Sequence, residues 1–161
     1  MDDDPPPNAR PPSVVDIHVS SAAGRLPLSR QRVSEIAEQV LLGERCRSAM
    51  LAITFVDDRE IARLHRRHLG VAGPTDIITL QHASRVPGAP LVADVYIASA
   101  VARENARAAG CAVREEIARL TIHGVLHALG WEHPEGEGRM RSPMWRRQER
   151  WVERMRRGGA W

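Results

Sequence analysis

Apolar positions along this chain recur with two periods, and each change of period marks an element. From Val14 to Val19 they alternate. Val15, Ile17 and Val19 share one face and Asp16 and His18 the other, which predicts a half-buried strand. The period then lengthens: Val33, Ile36, Ala37, Val40 and Leu41 form one helical stripe behind Ser29, a favourable N-cap, with Gly43 as the expected stop. Ala49–Val56 is almost continuously apolar, as a strand buried on both faces would be. A helix capped by Asp57 or Asp58 follows to about His68, turning Ile61 and Leu64 inward. Beyond the Gly70–Pro74 loop, Asp76–Leu80 and Leu91–Ile97 read as strands joined through a Pro-Gly connection, and so as antiparallel neighbours. Ser99 is the expected cap of a helix to about Ala109, closed by Gly110. Val113–Leu129 is the longest helix. Pro143 opens a last one reaching about Arg156, anchored by Met144, Trp145, Trp151, Val152 and Met155. The pattern predicts an α+β fold: a single mixed four-stranded sheet with helices packed on it, the longest helix presenting its polar side chains at the sheet rim.

Composition changes this picture only at the edges. A chain of 161 residues fits one domain. Residues 1–12 hold three Asp and five Pro and read as a disordered acidic, proline-rich tail, leaving 13–157 as the domain. Cys46 and Cys111 have no metal spacing and read as reduced thiols. With no apolar run of membrane length, the expectation is a cytoplasmic protein without a membrane partner. The net charge is +3, and all 23 basic residues are arginine. Eight of them lie between Arg139 and Arg157, against Glu149 and Glu153. Such a run reads first as a solvated helix face and second as a nucleic-acid contact.

Candidate chemistry concentrates in His123-Gly-Val-Leu-His127-Ala-Leu-Gly-Trp-Glu-His133. His123 and His127 are four apart and share a helix face. Gly130 can end that helix in a left-handed turn, which lets His133 fold back to meet them. Three imidazoles without an evident fourth ligand describe an open, zincin-like site for one Zn²⁺ per chain, and its free position is where water is activated. The spacing is that of metzincin peptidases, but Gly124 stands where those enzymes carry a catalytic Glu. Glycine inside a helix implies a close approach there, of neighbouring groups or of substrate. Asp94 and Glu132 are candidates to orient the histidines, with a turn or strand-end cap as the equal alternative for Asp94, and Asp76 reads as a structural carboxylate beside Thr75. His18, His65, His68 and His82 are left out of the primary site.

The motif, with Thr75-Asp-Ile-Ile-Thr-Leu80, Ala93-Asp-Val-Tyr-Ile97 and Met144-Trp-x-x-Gln148-Glu149, resembles the YbeY family of bacterial metal-dependent endoribonucleases. The resemblance runs from about Val15 to Val152. It implies a single-strand-specific endoribonuclease acting in 16S rRNA 3′-end maturation and ribosome quality control, with catalysis through His123, His127 and His133. It also implies ribosomal RNA precursor and ribosome or small-subunit proteins as partners, with no DNA. Leu69 stands where family members usually place an arginine, and Arg66 or Arg67 is the expected substitute. Trp131 is the candidate to stack on a base, with packing against the histidine turn as a hydrophobic lid the equal alternative. Two other readings stay open: a zinc-dependent peptidase, and a non-catalytic ribosome-assembly factor with structural zinc.

Overall fold

A computed structural model describes residues 13–161, so the expected tail at 1–12 lies outside the described residues. Four strands, β1 (Val14–Ser21), β2 (Ser48–Val56), β3 (Ile77–Gln81) and β4 (Leu91–Ala98), form one sheet in the order β1-β2-β4-β3. β1 and β4 both pair parallel with β2, while β3 runs antiparallel to β4 and forms an edge. The sheet is therefore mixed and four-stranded, with β3 and β4 neighbours as the connection between them predicts. The helices are α1 (Arg30–Gly43), α2 (Asp58–Leu69), α3 (Ser99–Ala109), α4 (Val113–Ala128) and α5 (Pro143–Arg157). A short 3-10 helix at Gly136–Arg141, which the periodicity does not predict, precedes α5.

The main core lies between one sheet face and helices α1, α4 and α5. Leu51, Ile53 and Phe55 of β2 and Ala93, Val95 and Ile97 of β4 meet Ile36, Val40, Ile117, Val125 and Met155 there. A smaller cluster gathers Ile61 and Leu64 of α2 with Ile78 of β3. Helix α4 is buried on almost every side, between α1, α3, α5 and strands β3 and β4. Gly124 explains how close it comes. A Cβ there would lie 2.6 Å from a Val95 methyl and 2.9 Å from Ile77 Cδ1. The close approach is thus made by sheet side chains, and it sets the histidine-bearing end of α4 against the edge strand.

Two helix ends differ from the sequence expectation. α1 does end at Gly43, but not through a left-handed glycine: the left-handed residue is Arg45, at φ 67°, and Cys46 N–H closes the end on Leu41 O at 2.9 Å. Gly43 is instead the place where the Trp151 ring of α5 crosses α1, and a Cβ would collide with it. Ser99 is not a cap either. It is the first residue of α3, Ala98 holds the N-cap position without a side-chain hydrogen bond, and Ser99 Oγ is buried without a partner. Strand β4 runs straight into α3, so its last residue, the extended Ala98, takes the cap position and Ser99 is already helical.

Candidate metal centre

His123 and His127 lie in the last turns of α4 and leave the same face. The helix closes with Gly130 at φ 88°: Gly130 N–H donates to His127 O at 2.9 Å and Trp131 N–H to Leu126 O at 3.0 Å. This paired capping arrangement needs a left-handed residue, and it reverses the chain. His133 therefore returns over the end of α4. Its Nε2 lies 3.3 Å from both His127 Nε2 and His123 Nε2. Among the described residues, these three histidines form the group able to hold a metal ion.

The far nitrogen of each ring settles its tautomer. His123 Nδ1–H donates to Gln148 Oε1 at 2.7 Å, His127 Nδ1–H to Trp131 O at 2.9 Å and His133 Nδ1–H to Pro134 O at 3.0 Å. Gln148 presents its oxygen because its own amide NH₂ donates to Glu149 at 2.9 Å. With every Nδ1 protonated, three Nε2 lone pairs face one another and cannot bond among themselves. A cation between them removes that conflict. Zinc–nitrogen bonds of about 2.0–2.1 Å in a tetrahedron place ligand nitrogens roughly 3.3 Å apart, the spacing His133 shows to its two neighbours. The residues present therefore fit a divalent metal.

Burial keeps the inner rings neutral. His123 is only 3% exposed. Burial first, and then the neighbouring His127, push its pKa down to about 3. Burial and then His133 lower His127, and the positive charge of Arg139 presses on both rings. A neutral imidazole is the form that binds metal.

Behind Gln148 stands an ionic network. Arg119 reaches Glu149 at 3.0 Å, Glu116 at 3.1 Å and Glu115 at 3.1 Å, tying α4 to α5. Burial raises the Glu116 carboxyl despite Arg119, whereas the arginines lower Glu115 against the opposing effect of its burial. In front of the histidines opens a cleft of about 720 Å³, walled by Ile77, Ile78 and Thr79 of β3, by Leu69 at the end of α2, and by Trp131 and Arg139.

The structure gathers some of the expected residues and separates others. The three histidines meet. Trp131 joins them, half-buried on the main core, with the Arg147 guanidinium 5.8 Å from its ring centroid. Arg66 and Arg67 are exposed and border a different groove, with Arg59 and Arg63. Asp94 and Glu132 orient none of the three rings. Each Nδ1 is already taken by Gln148 or a backbone carbonyl, and Asp94 accepts instead from His82 at 2.7 Å. Asp76 is structural as expected, accepting from Thr75 Oγ1 at 3.3 Å and from Asn105 at 3.5 Å. His18 and His68 are exposed, but His65 lines the cleft and bonds Gly73 O at 2.9 Å. Gln148 is the functional residue the sequence reading passes over. The signal was available: it is a polar residue within the apolar stripe of Met144, Trp151, Val152 and Met155. Arg139 carries no such signal, because its segment has no period.

Comparison with known proteins places this arrangement. The family model described as Endoribonuclease YbeY matches residues 19–156. An Endoribonuclease YbeY of Bifidobacterium animalis subsp. lactis is 37% identical over 125 residues, covering 74% of this chain and 62% of that protein. The match thus spans less than two thirds of that relative's length. The Thermobifida fusca protein of the same name is 33% identical over 129 residues, covering 75% of this chain and 83% of its own length. The solution structure of TM1509 from Thermotoga maritima has the same fold, with a TM-score of 0.56 at 22% identity, over 89% of this chain and 94% of that one.

Proposed function

This chain belongs to the family of endoribonuclease YbeY, and from that premise we propose that it is a zinc-dependent, single-strand-specific endoribonuclease. Its proposed substrate is the precursor of 16S rRNA at the 3′ end, and its setting ribosome maturation and quality control in the cytoplasm. Ribosome or small-subunit proteins are its proposed partners. The observation that carries the reading is the convergence of three Nε2 atoms on one point at the mouth of an open cleft.

The chain's own groups divide the work. His123, His127 and His133 offer their Nε2 lone pairs, while Gln148 and two backbone carbonyls hold the Nδ1 protons in place. Zinc bound there supplies Lewis acidity and lowers the pKa of water towards about 7. Edge strand β3 forms one wall, so an RNA strand lies along a surface closed on one side by sheet and open on the other. Trp131 offers a ring face to an unstacked base, which favours single strands over duplex. Arg66 and Arg67, on their separate groove, are placed to hold phosphates of the flanking strand.

The peptidase alternative loses its catalytic carboxylate for a packing reason, since the sheet leaves no room for a side chain at position 124. The test is direct. Zinc-loaded protein is incubated with single-stranded RNA, duplex RNA and an unstructured polypeptide, each beside His127→Ala. The reading expects cleavage of the single strand alone, abolished by the substitution. Polypeptide cleavage with intact RNA would favour the peptidase. No cleavage, together with full ribosome maturation by the His123→Ala chain, would favour an assembly factor with structural zinc.

A further inference from the structure

Arg139 belongs to the 3-10 helix between His133 and α5 and is the only arginine among the described residues lining the histidine cleft. Its Nε is buried without a hydrogen-bond partner. None of the described carboxylates pairs with it, although Glu132 and Glu135 line the same cleft. Other arginines of this region are committed: Arg147 to Glu44, Arg156 to Glu115, and Arg157 to Glu153. The Arg139 backbone is fixed, because Ser142, which caps α5, donates to Arg139 O from its Oγ at 2.7 Å and its N–H at 3.1 Å. Its guanidinium carbon lies over the Trp145 ring, 5.9 Å from the centroid.

We propose that Arg139 is the phosphate clamp of this cleft, gripping the phosphodiester of the bound RNA strand beside the three histidines. An unpaired guanidinium next to a cation-binding triad places like charges together. The arrangement becomes favourable when an anion lies between them. A phosphodiester has two non-bridging oxygens, and a guanidinium fork meets two oxygens in one plane. The opposite candidate is absent from the cleft: Leu69 brings the end of α2 to its wall as an apolar, 57% exposed side chain, and Arg66 and Arg67 turn to another groove. The positive group at the reacting phosphate therefore comes from the segment after His133. This assignment rests on the endoribonuclease reading and names a residue for it.

Arg139→Ala, Arg139→Met, Arg139→Lys and the double variant Arg66→Ala/Arg67→Ala are compared with wild type in three measurements. These are zinc content, binding of a fluorescein-labelled single-stranded RNA to chelator-stripped protein across a salt series, and kcat and KM with zinc. Arg139→Ala and Arg139→Met are expected to keep one zinc. Their affinity for RNA falls about five- to twentyfold, and their salt slope is shallower by about 0.7, one phosphate contact on a single strand. Their kcat/KM falls about 10²–10³-fold, the usual effect of removing one donor to developing charge. Arg139→Lys regains affinity more than rate, because it keeps the charge and loses the fork. The double variant loses affinity and salt slope. Arg139→Met keeps a long apolar stem against Trp145, so it decides the matter if the alanine variant is unstable. Wild-type affinity, slope and kcat/KM in Arg139→Met would overturn the proposal, and so would loss of zinc by both variants, which makes Arg139 structural. A wild-type chain that holds zinc and cuts no RNA would instead sink the functional reading, and the wild-type arm shows that separately.

Discussion

Gly124 sits one residue after His123, and two opposing effects meet there. Alanine would gain up to about 1 kcal/mol of helix propensity. It would also drive a Cβ to 2.6 Å from Val95 and 2.9 Å from Ile77, both held in the packed sheet. Overpacking of this kind costs typically about 1–3 kcal/mol, so packing wins. Gly124→Ala is expected to lower stability by about 1–2 kcal/mol in chemical denaturation, and a Gly124→Glu chain to gain no peptidase activity. An unchanged midpoint for Gly124→Ala would show that α4 has room to move off the sheet. Gln148 gives a second residue-scale prediction. Gln148→Leu removes the acceptor that orients His123 and should weaken zinc binding about 10–100-fold, measured by competition with a chelator. Affinity equal to wild type would show that His123 needs no such partner. The histidine spacing and the bend at Gly130 were legible in the sequence because each rests on one local rule. Gln148 and Arg139 were not, because their roles depend on which helix faces them. The choice left open at Asp94 falls to a structural role for the same reason: its partner is His82, a pairing no spacing reveals.

At the scale of elements, the site depends on how α5 is held. Glu44, just past α1, accepts from Arg147 at 2.7 Å and from Trp151 Nε1 at 2.7 Å, while the Trp151 ring covers Gly43. This junction fixes the helix that carries Gln148. Burial alone would raise the Glu44 carboxyl, but the hydrogen bonds from Arg147 and Trp151 outweigh it and hold the pKa below its ordinary value of 4.5. A carboxylate depressed in the folded state stabilises above the unfolded value, and that contribution fades as pH falls through the folded one. Glu44→Gln is therefore expected to cost about 1–2 kcal/mol at neutral pH, a figure discounted because Arg147 is partly exposed. The deficit relative to wild type should shrink below pH 4.5. A deficit that stays constant down to pH 3 would mean the charge contributes nothing and the loss is one of shape. Apolar patterning and cap residues together predicted the strands and α-helices of the described residues, since burying an apolar face is a property of the segment itself. The ends were less legible. Gly43 ends α1 as a crossing point for Trp151 and not as a left-handed cap, and Ser99 looked like a cap and is the first residue of a helix continuous with β4. Both outcomes were decided by the packing partner.

Across the whole molecule, the chain brings an edge strand, the end of its most buried helix and a returning loop to one cleft. No helix among the described residues is long and apolar enough to cross a membrane. Three of the eight arginines near the C-terminus pair with Glu44, Glu115 and Glu153, and six of the eight are exposed, so the run is chiefly a solvated face. Because the three histidines come from two segments that meet only in the folded chain, zinc should stabilise the native state by mass action. At a zinc concentration 100 times Kd the gain is about 2.7 kcal/mol, read as a rise in Tm that His133→Ala abolishes. The central claim, that one ion held by three imidazoles makes this fold an RNA-cutting enzyme, is tested most directly by titrating zinc into chelator-stripped protein while following cleavage of single-stranded RNA. Activity should rise in proportion to added zinc and level off at one ion per chain, with His123→Ala flat throughout. Cleavage that ignores the metal, or that survives in the His123→Ala chain, would contradict it.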